Sequence, residues 1–179
     1  MARISLFAAL TAVGALIRLP LPPVPFTMQT LFVLLAGLLL GGKLGAASQL
    51  LYIAIGLAGV PVFAGGGGPQ YVLTPGFGYL IGFAAAAYVA GRLAWRNPGT
   101  ACPLRGLFVA SLAGTATCYA IGAPYLWAVL RWIGGIPIPA SQVLVRGLLV
   151  FVPWDLAKAG LAAWLAWEID RRVRWAGAR

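Results

Sequence analysis

Apolar residues run along this chain in long unbroken blocks, without the half-face or alternating patterns of water-soluble elements. Six blocks stand out, at approximately 4–19, 27–42, 44–60, 77–95, 105–123 and 150–169, each bounded by charges or by proline and glycine. Each holds 16 to 20 residues, close to what a helix needs to cross ~30 Å of hydrocarbon. A transmembrane barrel would show short alternating strands instead. The pattern predicts an all-α integral membrane protein: one transmembrane domain over residues 1–179, built as a bundle of six transmembrane helices.

Composition agrees with the pattern. Hydrophobic residues make up 61% of the 179 residues and charged residues only 9%, against roughly 25% in soluble domains; mean hydropathy is +0.92. No block is left over for an ATPase or enzyme module. The net charge of +10 does not point to nucleic acid, because the basic residues are scattered near the ends of the apolar blocks, where topology needs them. With no histidine and three acids, a metal site is not expected, nor is a cofactor. Cys102 lies in an arginine-flanked loop and Cys118 well inside the fifth block, so no disulfide is expected between them. The opening "MARISLFAALTAVGALIRLP" has the basic start of a signal peptide. Its apolar part runs on to Ile17 without a polar cleavage region, so it is read as the first span.

The cations orient the bundle. With the N-terminus cytoplasmic, that side receives Arg3, Lys43, Arg92, Arg96, Arg105, Arg171, Arg172, Arg174 and Arg179, and the other receives Arg18, Arg131 and Arg146. This bias places both termini in the cytoplasm. The long Pro- and Gly-rich connections, 19–26, 61–76 and Pro124 to about Arg146, then all fall on the outer face. The stretch Gly65–Gly68 followed by "PQYVLTPGFG" reads either as a lid over a cavity or as a solvated connector. It lacks the Lys-Ser/Thr of a phosphate loop.

Chemistry concentrates in "VPWDLAKAG" at 152–160. Pro153 suits a first helical turn, which puts Asp155 where the helix dipole favours an anion and Lys158 on the same face. One reading is a cap with a snorkelling lysine. The other is a ligand site, because ionisable groups inside a span cost roughly 2.5–3.5 kcal/mol each, while Ser or Thr would cap without any lysine. The functional reading is preferred. The pair is net neutral and suits a small, partly apolar solute with an amide-like head.

Other candidates carry less. Aromatics gather near the outer span ends (Phe26, Phe63, Tyr71, Phe77, Tyr79, Trp127 and Trp132), where interface belts explain most such residues and a pocket would use a subset. Gln29 and Gln70 lie near the same level, to solvate loops or to bind. Ala8 and Ala12 make a small-xxx-small face, although Gly78/Gly82 and Ala86/Ala90 repeat that spacing. Glu168 and Arg172 read as an interfacial anchor.

The run "VPFTMQTLFVLLAGLLLGGKLGAASQLLYIAIGLAGVPVFAGG", then "TPGFGYLIGFAAAAYVAGRL", then "VPWDLAKAGLAA", resembles the BioY family, the biotin-binding S components of energy-coupling factor (ECF) transporters. The resemblance extends from about residue 4 to 170. It implies a six-helix bundle that binds biotin at its outer side beneath loop lids, with Asp155 and Lys158 hydrogen-bonding the ligand and Tyr79, in "GYLIGF", at the pocket. It also implies that Ala8 and Ala12 face a transmembrane coupling protein whose partner ATPase subunits supply the energy. Where the family usually has a small residue before the aspartate, this chain has Trp154.

The expected function is therefore capture of biotin for uptake across the cytoplasmic membrane by a binding subunit that is not an enzyme. The substrate-binding candidates are Asp155, Lys158, Tyr79, Gln70, Phe63 and Gln29. Ala8 and Ala12 are the candidates for contact with ECF partners or with a second copy, among membrane lipids. The competing readings are an S component for another vitamin, a self-sufficient secondary transporter, for which no inverted repeat is visible, and a membrane scaffold.

Overall fold

The computed structural model describes residues 1–20, 24–95, 102–135, 139, 141–142, 145 and 149–177, with the side chains of 173–177 excepted. The expected cytoplasmic Arg96 and Arg179 and outer Arg146 lie outside the described residues, as do parts of the connections at 19–26 and 124–146 and the side chain of Arg174.

Among the described residues there are six α-helices: α1 (Ala2–Leu16), α2 (Gln29–Leu40), α3 (Gly42–Leu57), α4 (Phe77–Ala94), α5 (Leu104–Ala128) and α6 (Val152–Gly177). All six apolar blocks became helices, with ends shifted by a few residues. Two stretches, Phe77–Ala94 and Leu104–Ile133, are long and apolar enough to cross a membrane by length and composition. α1 and α2 are shorter apolar helices.

Two boundaries depart from expectation. The first helix stops at Leu16, and Arg18–Leu19 (β1) pairs antiparallel with Phe26–Thr27 (β2). Pro20 and Pro25 flank that pair, and proline cannot extend a helix through its own position. The second departure is at Pro124, expected to begin a connection. α5 instead continues past it to Ala128 and into a π-helical turn at Val129–Ile133. The missing N–H of a proline frees one upstream carbonyl, which a packed apolar helix tolerates.

α2 sits at the centre, touching α1, α3, α4, α5 and α6. The close approach depends on glycine. A β-carbon on Gly37 would run into the backbone carbonyl of Ala87 on α4, and one on Gly91 would meet the backbone of Gly41 and Gly42. The joint between α2 and α3 turns at Gly41 with φ 80°, a left-handed conformation that glycine adopts without strain.

Large apolar side chains lie on the surface as well as in the core. Leu16, Leu50, Val109 and Trp154 point outward, while Thr11, Ser48, Gln49, Ser111, Asp155 and Lys158 are buried. The inner polar groups satisfy one another. The Thr11 hydroxyl lies 3.2 Å from Gln49 Oε1, Gln49 Nε2 donates to the Ser48 hydroxyl at 3.0 Å, and that hydroxyl donates to the Gly45 carbonyl at 2.7 Å. Cys102 and Cys118 are both free thiols.

Candidate functional site

The start of α6 meets the β1–β2 hairpin, the start of α2 and the second half of α5 around one cavity. The enclosed space is narrow, about 70 Å³, and opens to solvent at one side. Asp155 and Lys158 lie at its wall, each 6% exposed.

Lys158 Nζ donates to Asp155 Oδ1 at 2.6 Å and to the Thr27 carbonyl at 2.8 Å, and it stands 4.1 Å from the centre of the Phe26 ring. The other carboxylate oxygen, Oδ2, accepts the Tyr119 hydroxyl of α5. The carboxylate thus holds Lys158 of its own helix and Tyr119 across on α5, and the lysine does not snorkel outward. Asp155 keeps its favourable dipole placement at the first turn, and both of its oxygens accept side-chain bonds at the cavity wall.

The arrangement leaves capacity for a ligand. An ionised carboxylate has about four lone-pair sites and an ammonium three N–H groups. Two sites on Asp155 and two donors on Lys158 are used, so a ligand presenting both donors and an acceptor fits the remainder. Apolar surfaces complete the wall: Phe26 stacks on Phe151 at 6.4 Å, and Tyr79 meets Tyr119 edge-on at 6.2 Å. Burial raises the pKa of the Tyr71 phenol, at the rim, above its ordinary value, so that hydroxyl stays neutral and able to donate.

Matching against known proteins adds an independent result. The chain matches the BioY family over residues 1–175. It belongs to the BioY family. It is 47% identical over 172 residues to a probable biotin transporter BioY of Lysinibacillus sphaericus, covering 96% of this chain and 86% of that protein. It is 36% identical over 167 residues to the biotin transporter BioY of Thermotoga maritima, covering 93% and 92%. In structure it is similar to the S-component for biotin from an ECF-type ABC transporter, with TM-score 0.80 and 26% identity over 94% of this chain and 88% of that one.

Within this BioY-family fold the six candidate ligand residues separate into groups. Asp155, Lys158, Tyr79 and Gln29 line the cavity. Gln29 is already engaged, with Oε1 accepting the Thr27 hydroxyl at 3.0 Å and Nε2 donating to the Tyr52 hydroxyl at 2.7 Å. Phe63 is buried one layer back, 4.6 Å from the Tyr71 ring that does line the cavity. Gln70 departs from expectation: it is exposed, outside the cavity wall, and donates to the Gly67 carbonyl at 2.8 Å. It holds the glycine turn, in the manner of a loop-stabilising amide.

On α1 the small-residue face is displaced from the expected one. Ala8 is 3% exposed and packs in the core with Val33 and Tyr52, so it offers no surface to another protein. Ala12 is half-buried, and the neighbouring Ala9 is exposed. The apolar surroundings of α1 are similar on several sides, so spacing alone does not fix which alanines face outward. Trp154 is 63% exposed, lies outside the cavity wall and packs edge-on against Phe26 at 6.0 Å.

Tyr119 was not singled out by sequence. A tyrosine inside an apolar block carries little local signal that distinguishes a ligand site from ordinary packing; its i,i+4 offset from Thr115 is a weak one. Tyr119→Phe keeps the ring and removes the donor to Asp155. A charge-assisted hydrogen bond contributes about 1.5–3 kcal/mol, so ligand affinity in titration calorimetry is expected to change by roughly tenfold or more. Unchanged affinity would show that the hydroxyl only fills space.

Proposed function

We propose that this chain captures biotin as the substrate-binding S component of an ECF-type transporter, lodged as a six-span bundle in the cytoplasmic membrane with both termini inside. The observation that carries the reading is the Asp155–Lys158–Tyr119 constellation at the wall of a cavity lined by aromatic side chains. Biotin has a ureido group with two N–H donors and one carbonyl, an apolar sulfur ring and a carboxylate tail. Asp155 accepts from the ureido N–H groups through its remaining lone pairs, Lys158 gives its remaining N–H to an oxygen of the ligand, and the aromatic wall covers the ring.

The membrane reading is supported by the outward leucines and tryptophans and by the inward polar network, which suit a hydrocarbon solvent. Arg3, Lys43, Arg92, Arg105, Arg171 and Arg172 lie at the helix ends away from the cavity, in keeping with a cytoplasmic face there and a cavity that opens outward. The chain is a carrier of solute and not a catalyst, with ATP hydrolysis assigned to partner subunits. A transmembrane coupling protein would meet the outer face of α1 near Ala9 and Ala12. Self-association through that face is the competing arrangement.

Purified protein in detergent is expected to bind biotin at submicromolar concentration and to ignore riboflavin and thiamine, measured by calorimetry. Binding of either of the latter in place of biotin would move the chain to an S component of another specificity. Uptake by the chain alone that is lost with the proton gradient and indifferent to ATP depletion would favour a secondary transporter.

A further inference from the structure

The loop that follows α3 lies over the cavity and is held by contacts that lead back to the ligand wall. Its turn closes on itself, with Phe63 N–H donating to the Gly66 carbonyl at 2.8 Å and Gly66 N–H returning to the Phe63 carbonyl at 3.1 Å. Gly68 N–H donates to the Gly56 carbonyl at the end of α3 at 2.8 Å. Phe63 rests on Gly56, where any β-carbon would run into its ring. Beyond the turn, Ala64 and Tyr71 reach the cavity.

Tyr52, one of the most deeply buried side chains at 1% exposure, stands between this loop and Gln29. Its hydroxyl donates to the Val62 carbonyl at 3.0 Å and lies 2.7 Å from Gln29 Nε2. A phenol has a single proton. With that proton given to Val62, the Gln29 amide must be the donor to Tyr52. The Thr27 hydroxyl on Gln29 Oε1 fixes the same amide orientation from the other end. A directed chain of donors therefore runs from Thr27 through Gln29 and Tyr52 to the loop backbone.

We propose that Tyr52 is a positioning residue that couples occupancy of the cavity to closure of the 60–74 loop. It touches no ligand. A ligand contact at Gln29 polarises the amide, and a polarised donor strengthens the next bond in a buried chain, so the Val62 carbonyl is held more firmly when the cavity is filled. The ring of Tyr52, edge-on to Phe63 at 5.4 Å, supports the loop in either state. The hydroxyl carries the coupling. The proposal rests on the biotin reading for its ligand; the tether itself belongs to the protein without ligand.

Tyr52→Phe retains the ring and removes only the hydroxyl. Hydrogen exchange over 60–74 is expected to quicken in this variant without biotin. Biotin dissociation is expected to accelerate about tenfold while association stays within about twofold, since the open cavity is unaltered. Wild-type exchange and wild-type dissociation in Tyr52→Phe would overturn the proposal. Gln29→Met separates relay from plain support: without biotin the loop should exchange no faster than in Tyr52→Phe, because the Tyr52–Val62 bond remains, but saturating biotin should add no protection. Retained protection in Gln29→Met would remove the coupling role, even if Tyr52→Phe were too unstable to purify. Should the wild-type protein fail to bind biotin, the functional reading falls, and the ligand-free exchange of Tyr52→Phe still decides whether the hydroxyl tethers the loop.

Discussion

Asp155→Asn is expected to weaken biotin binding by about a hundredfold or more while the protein remains folded. The substitution is nearly isosteric, so the cavity keeps its shape. It removes the charge from an acceptor that takes bonds from Lys158 and Tyr119 and, in the proposed complex, from the ligand as well. Hydrogen bonds to charged groups contribute about 1.5–3 kcal/mol each, and about 2.7 kcal/mol corresponds to a hundredfold. Asparagine also brings a donor into a position that must accept. The buried Lys158 ammonium loses its partner, a change that costs several kcal/mol for desolvated pairs, so some fall in thermal stability accompanies the loss. Titration of biotin into the purified variant checks the result. Affinity within about twofold of wild type would reduce Asp155 to a structural counter-ion for Lys158.

The other large effect is on the fold. Gly37→Val places a β-carbon against the Ala87 carbonyl, 3.1 Å from the Ala87 Cα, with two further methyl groups and no flexible side chain nearby to yield. α2 would have to move off α4, and α2 also touches the four other helices. Overpacking costs about 1–3 kcal/mol where side chains can adjust, and a backbone collision belongs at or above the top of that range. At ~2–4 °C per kcal/mol for a chain of this size, a fall of roughly 10 °C in Tm is expected in the same detergent. Gly37→Ala should shift it in the same direction by less. A Gly37→Val protein melting within about 2 °C of wild type would mean that the helices have slack that the close packing denies.

The helices were legible because apolar blocks of the right length have little else they can become. Their ends were less so. Two-residue strands such as Arg18–Leu19 contain too few positions for alternation to register, and Pro124 is a strong stop signal that an apolar packed helix overrode. Asp155 and Lys158 were legible through scarcity: in a chain with three acids, a buried one stands out. Tyr119 and Tyr52 were not, because their roles depend on which helices face each other across the bundle, and tyrosines in apolar blocks are common. Gln29 and Gln70 read alike along the chain, yet one begins a central helix and the other sits on an exposed turn. Ala8 and Ala9 differ by 100° around α1, a rotation that an alanine-rich helix does not announce.

The ion pair has a history as well as a position. Lys158 meets the Thr27 carbonyl across 131 residues of chain, so that contact waits until α6 has formed and docked. Its partner Asp155, by contrast, lies three residues away on the same helix and is available as soon as one turn has formed. In a bilayer the two charges would neutralise each other, which lowers the penalty that either would meet alone. Thr27 on β2 and Tyr119 on α5 precede α6 in the chain, and docking of α6 brings both onto the ion pair at once.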